Sequence, residues 1–156
     1  MRVVVGGTFD PLHDGHKQLL RKAYELSDDG NGNGKGEIVI GITSDRMAEA
    51  TKARLVLPYK VRAANIAQYM YREYQVRVRT VELDNRYGVT LDEDVDYIVI
   101  SPETYDVAVE INKLRKERGK KPIEIVKVEH TKAEDGKPIA SRRIKAGEID
   151  KHGHLL

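Results

Sequence analysis

Short apolar runs alternate along the chain with longer stretches whose apolar residues recur at helical spacing. Val3-Val4-Val5 predicts a strand over residues 2–6, and residues 15–27 predict a helix with Leu19, Leu20, Ala23 and Leu26 on one face. Ile38-Val39-Ile40-Gly41-Ile42 is a continuous apolar run, as in a strand buried on both faces of a parallel sheet. Residues 59–74 predict a helix with Ala63, Ile66, Ala67, Met70 and Tyr74 on one stripe and Pro58 at its entrance. Residues 76–81 alternate and predict a strand nearer the edge, whereas Tyr97-Ile98-Val99-Ile100 predicts a buried one. Residues 104–118 predict a helix with Val107, Ile111 and Leu114 inward and Gly119 as its stop. Ile123-Glu124-Ile125-Val126 predicts a fifth strand. Ser141 then opens a short helical turn, and Lys151-His152-Gly153-His154 reads as a frayed tail.

This alternation predicts an α/β fold, a Rossmann-like doubly wound parallel sheet of about five strands with flanking helices. Residues 1–156 read as a single domain, with no internal repeat and no linker. Ligands of such sheets bind beyond the carboxyl ends of the strands. The polar punctuation collects at that rim: the turn at residues 6–16, Thr43-Ser44-Asp45, and Ser101-Pro102-Glu103. The Asn/Gly-rich stretch over residues 28–36 lacks a GK[ST] ending, so it predicts a surface loop and not a P-loop.

Composition narrows the classes. Net charge is +2, with 27 basic against 25 acidic residues, so nothing calls for bulk nucleic-acid or membrane binding. The chain has no cysteine, which excludes disulfides, zinc–thiolate sites and cysteine nucleophiles. No apolar run reaches the roughly 18 residues of a membrane helix. The first residues enter a strand at once, leaving no room for a signal peptide. A cytoplasmic enzyme or binding protein is the expectation.

The chemistry concentrates in Gly6-Gly7-Thr8-Phe9-Asp10-Pro11-Leu12-His13-Asp14-Gly15-His16. A glycine-bearing turn from strand to helix presents backbone N–H groups and the positive end of a helix dipole, which suits a phosphate. His13 and His16, three apart around Gly15, reach one ligand from a helix start. They either contact phosphate, cap the helix, or hold a metal. Against the metal stands the lack of a third ligand at suitable spacing.

The same turn resembles the T/HxGH motif of the nucleotidylyltransferase superfamily, which transfers a nucleotidyl group in a Rossmann-like domain. The resemblance spans nearly the whole chain and is closest to the archaeal and eukaryotic-type branch of the phosphopantetheine adenylyltransferase family. Ile100–Tyr105 with Ile111–Arg115 resembles that branch's block after the fourth strand, and Asp84–Thr90 its preceding loop. Ile139-Ala140-Ser141-Arg142-Arg143-Ile144-Lys145 resembles the superfamily's second motif, ISSTxIR. It departs from it at Ala140, Arg142 and Lys145, keeping one hydroxyl and gaining positive charge.

The resemblance implies adenylyl transfer from ATP to 4′-phosphopantetheine, giving dephospho-coenzyme A and pyrophosphate. It implies that His16 meets the α-phosphate, that His13 with Gly15 holds the triphosphate, and that Thr8 orients both substrates. Lys52 would grip the incoming phosphate, with Arg54 and Arg62 as understudies. Ser141, with Arg142 or Arg143, would hold the β- and γ-phosphates. Asn112 and Arg115 would touch substrate or nucleotide. Phe9 would lie under the adenine or join the core. Mg²⁺ would arrive with ATP and not be caged by carboxylates. The alternatives are a sister nucleotidylyltransferase with another phosphorylated acceptor (nicotinamide mononucleotide, FMN, a small alcohol phosphate) and a non-catalytic nucleotide-binding module.

Overall fold

The computed structural model describes residues 1–28, 36–51 and 56–156. Strands β1 (Arg2–Gly7), β2 (Glu37–Thr43), β3 (Arg79–Leu83), β4 (Tyr97–Ile100) and β5 (Glu124–Lys127) form one parallel sheet in the order β3-β2-β1-β4-β5. Helices α1 (Asp14–Ser27), α2 (Asp45–Thr51), α3 (Tyr59–Tyr74), α4 (Tyr105–Glu117) and α5 (Ser141–Lys145) accompany them, with a 3-10 turn at Pro102–Thr104. This is the doubly wound α/β fold that the pattern predicts. The strand order reverses between β1 and β4, so the loops leaving those strands diverge and open a crevice.

Alternate residues of β1 supply the two faces. Val3 and Val5 pack with Ile38, Ile40 and Ile42 against Leu20 and Ala23 of α1 and Ile66 and Met70 of α3. Val4 packs with Val39, Ile98 and Ile100 under Ala108 and Ile111 of α4. Side chains as fully buried as Leu20, Ile66 and Met70 each contribute about 2 kcal/mol of hydrophobic stabilisation. The turns at the carboxyl rim are therefore mounted on a rigid platform.

Helix α3 and strand β4 have the predicted bounds. Helix α2 is an addition. The Ser44 hydroxyl accepts the backbone N–H of Met47 at 3.1 Å, and Asp45 sits at the positive end of the helix dipole. Strand β3 starts at Arg79 and not at 76. Gln75, at φ +55°, ends α3 in the left-handed conformation, and pairing with β2 begins at the Val39–Arg79 register.

The segment after α5 corrects the expectation of a frayed tail. Ile149 is fully buried with Ala133 and Ile139 in a third apolar cluster. Ile149 and Leu155 form an antiparallel bridge. The Asp150 carboxylate accepts the backbone N–H groups of His152 and His154, each at 2.9 Å. The His154 N–H above all holds that carboxyl below the usual carboxylate range, and the carboxylate in turn raises the His154 imidazole above its ordinary value. A polar run headed by an aspartate is turn chemistry, and here it orders the chain.

Candidate active site

The turn after β1 is built as a reciprocal helix cap. His13 is the N-cap of α1, and its Nδ1 accepts the backbone N–H of His16 at 3.3 Å. The Nδ1 of His16 reaches back to accept the N–H of His13, also at 3.3 Å. The motif is a capping box made from two histidines. The rings stack with centroids 3.7 Å apart and 17° between planes, and the edge of Phe9 lies against His16. A nitrogen that accepts carries no proton, so the ring proton of each neutral imidazole sits on Nε2. Capping and ligand binding are thus compatible in one residue: Nδ1 orients the ring and Nε2 is the donor.

Both histidines line a cleft of about 620 Å³ at the crevice. Gly15 lines it as well. A Cβ there would stand 2.8 Å from Cε1 and 3.0 Å from Nδ1 of His13. Gly15→Ala is therefore expected to displace the His13 ring even though alanine suits a helix better than glycine. The expected result is a roughly tenfold loss of kcat/KM with Tm within a few degrees of the parent, since the helix propensity gained offsets the cap lost. Steady-state kinetics and thermal unfolding of the variant check it.

The second motif forms the facing wall. Ser141, Arg142 and Lys145 of α5 line the same cleft, with Ala140 as the helix N-cap. Lys145 ties α5 to the first turn, with Nζ 3.2 Å from the buried carboxylate of Asp10. Asp10 also accepts the backbone N–H of Leu57 at 2.5 Å. One carboxylate therefore joins the first turn, the second motif and the approach to α3. The outer wall is completed by Ser101 and Glu103 after β4 and by Glu129, His130 and Thr131 after β5. Sequence reasoning missed the last three, although the carboxyl-end rule that found Ser101 extends to the residues after β5.

Thr8 is half-buried beside the turn. Arg62 Nη1 donates to the Thr43 hydroxyl at 3.2 Å, and Thr43 donates to the Thr8 hydroxyl at 3.0 Å. A hydroxyl that accepts in this way still has its own proton to give.

Several expected substrate contacts are corrected by the packing. Phe9 is only 3% exposed and belongs to the core beneath the histidines, not to an adenine platform. Arg143 is buried and turned away from the cleft, paired with Asp135 and with Glu148 at 3.0 Å, and bonded to the Pro138 carbonyl at 3.1 Å. Its guanidinium holds the Asp135 carboxyl below the usual range. The side chain of Asn112 is engaged with the backbone of Ile123, donating at 2.8 Å and accepting at 2.7 Å. Arg115 is 2% exposed and donates to the carbonyls of Lys121, Thr90 and Glu93. Arg62 is fully buried and bonds Leu57, Thr8, Thr43 and Asp45. All of these arginines tie loops to the fold. Lys52, Arg54 and loop residues 29–35 lie outside the described residues.

A second cavity, of about 180 Å³, lies between α4, the loop after β3 and the sheet face of Val4, Val39 and Ile98. Its lining is mainly apolar, with Met47, Leu83, Tyr87 and Val107, and it includes Gly7 and Thr43. Because Thr43 also bonds Thr8, this cavity adjoins the turn.

The cytidylyltransferase-like family model matches residues 4–147. A phosphopantetheine adenylyltransferase of Archaeoglobus fulgidus is 51% identical over 156 residues, covering 100% of both chains. One from Methanosarcina mazei is 46% identical, covering 99% of this chain and 96% of its own. A crystal structure of an Archaeoglobus fulgidus protein, described as of unknown function, superposes with a TM-score of 0.73 at 48% identity, covering 82% of this chain and 89% of that one.

Proposed function

The chain belongs to the cytidylyltransferase-like family and, within it, to the phosphopantetheine adenylyltransferases, and we propose that the paired histidines and α5 form its catalytic centre. The reaction is adenylyl transfer from ATP to 4′-phosphopantetheine, giving dephospho-coenzyme A and pyrophosphate, a step of coenzyme A biosynthesis. A phosphate monoester is already ionised at neutral pH, so the acceptor needs no side chain to activate it. Catalysis reduces to in-line positioning and stabilisation of developing charge.

In this reading the triphosphate lies in the 620 Å³ cleft. His16 donates from Nε2 to the α-phosphate as charge moves onto its oxygens, and His13 donates alongside. Ser141, Arg142 and Lys145 hold the β- and γ-phosphates from the other wall. Lys145 would exchange Asp10 for phosphate, as a flexible ammonium does readily. Thr8, its hydroxyl oriented by Thr43, donates to the phosphate between the two substrates. The acceptor's arm enters the apolar second cavity, and Lys52 receives its phosphate, a role that rests on the family resemblance.

Mg²⁺ prefers oxygen ligands. The cleft is lined by two carboxylates, Glu103 and Glu129, but among the described residues no three His, Asp or Glu side chains cluster to hold a metal, so the ion would be held mainly by the phosphates of ATP. When bound it supplies charge neutralisation. No described helix is long and apolar enough to cross a membrane. We place the enzyme in the cytoplasm, working on free substrates without nucleic acid or a membrane.

The observation that carries this reading is the stacked histidine pair, each ring held through Nδ1, lining one cleft with Ser141, Arg142 and Lys145. The test is pyrophosphate release from ATP with a panel of acceptors. Release is expected with 4′-phosphopantetheine and not with nicotinamide mononucleotide or FMN. Release with either of those and none with phosphopantetheine would overturn the acceptor assignment.

A further inference from the structure

The cytidylyltransferase-like family model matches no further than residue 147, yet residues 148–156 touch both walls of the cleft. At the first wall the backbone N–H of Asp14, the first residue of α1, donates to the Lys151 carbonyl at 3.1 Å. This is one of the N–H groups that a helix start leaves without a partner. The Asp14 carboxylate meets Nδ1 of His152 at 3.1 Å. At the second wall Gly153 packs so closely that a Cβ would stand 2.9 Å from Ile139 Cδ1 and 2.9 Å from Ala133 Cα. Its carbonyl accepts the N–H of Glu134 at 2.9 Å. Ile139 lines the cleft and leads into α5. Glu148 closes the connection by pairing with Arg143.

We propose that residues 148–156 act as a strap that sets the catalytic histidines relative to α5, with Asp14 and His152 as positioning residues. The proposal rests on the function given above. Asp14 lies between His13 and Gly15, and its amide direction is fixed by the Lys151 carbonyl. Moving that amide moves the start of α1, and with it the capping box that aims both Nε2 atoms. The His152–Asp14 pair is partly exposed, and such pairs add little to stability, so its effect falls on placement and not on folding.

Asp14→Pro breaks the contact. It removes the N–H and the carboxylate together, the carboxylate's long 4.0 Å pair with Lys17 included, while leaving the helix intact. Proline is favoured at the first helical position. His13, at φ −134° and ψ 175°, already has the extended backbone that precedes proline. The histidine capping box does not use the Asp14 amide. Asp14→Pro is expected to lower kcat about tenfold, with both KM values within about threefold and Tm within a few degrees. His152→Ala should give a loss of about threefold, and should add nothing in the Asp14→Pro background. His152→Asn, whose amide nitrogen stands near the position of Nδ1, should restore most of the rate.

The second readout is the imidazole Cε1–Hε1 resonances of His13 and His16 by NMR, which should shift in Asp14→Pro without substrate. A kcat within about twofold of the parent, or a fall in Tm that accounts for all the lost activity, overturns the inference. So do unshifted histidine resonances. If the parent protein itself releases no pyrophosphate, the functional reading has failed, and the resonances still decide whether the strap sets the histidines.

Discussion

His16→Ala is expected to lower kcat about a hundredfold or more while KM for ATP changes far less. The Nδ1 of His16 is occupied by the His13 amide, which leaves Nε2 as its donor, and His16 lines the same cleft as Arg142 and Lys145. A donor aimed at charge that grows only in the transition state affects the rate more than substrate binding. Alanine also removes half of the capping box, at a cost of about 1 kcal/mol. His16→Asn separates the two effects, because its side-chain oxygen stands near Nδ1 and keeps the cap while Nε2 is lost. It should be as slow as His16→Ala and more stable. Steady-state pyrophosphate release and thermal unfolding measure both, and parental turnover in either variant would remove His16 from the mechanism.

The sheet was legible because strands buried on both faces leave continuous apolar runs, and the helices between them keep one stripe. The first turn was legible because two histidines around a glycine, directly after a buried strand, have few other uses. What escaped were decisions made by tertiary partners. Arg142, Arg143 and Lys145 read as one basic run, yet five residues of helix place Arg142 and Lys145 on the cleft and Arg143 beneath it, against Asp135 and Glu148. The acids that claim it lie outside the run, so no local pattern announces them. Asn112 and Arg115 share a helix face, and that face turns out to hold the entry to β5 and the loop before β4. Helix α2 was hidden by brevity, and the strap by a polar run whose order comes from one aspartate. Asp10 carried a motif identity in the sequence but no hint that it joins three segments.

Arg62→Met is expected to destabilise the protein by about 3 kcal/mol, with a Tm fall of about 10 °C. The side chain is 0% exposed, and its donors satisfy the carbonyls of Leu57 and Thr8, the Thr43 hydroxyl and the Asp45 carboxylate. Methionine fills much of the volume and satisfies none of these acceptors, and burying an acceptor unpaired costs more than a hydrogen bond returns. Arg62→Lys should recover little, since one ammonium cannot span the partners of a planar fork. The activity of the folded fraction should fall as well. Without Arg62 donating to it, the Thr43 hydroxyl has no fixed reason to donate to Thr8, and the Thr8 proton loses its direction. Arg115→Met supplies the contrast. Arg115 is nearly as deeply buried and bonds three carbonyls, but it stands near the end of α4 and ties down Thr90, Glu93 and Lys121, none of them in the histidine turn. Its loss should cost similar stability and leave kcat per folded molecule near the parent value. Urea unfolding with kinetics on each variant decides the matter. Equal kcat losses in both would mean that the Arg62–Thr43–Thr8 chain has no separate role in catalysis.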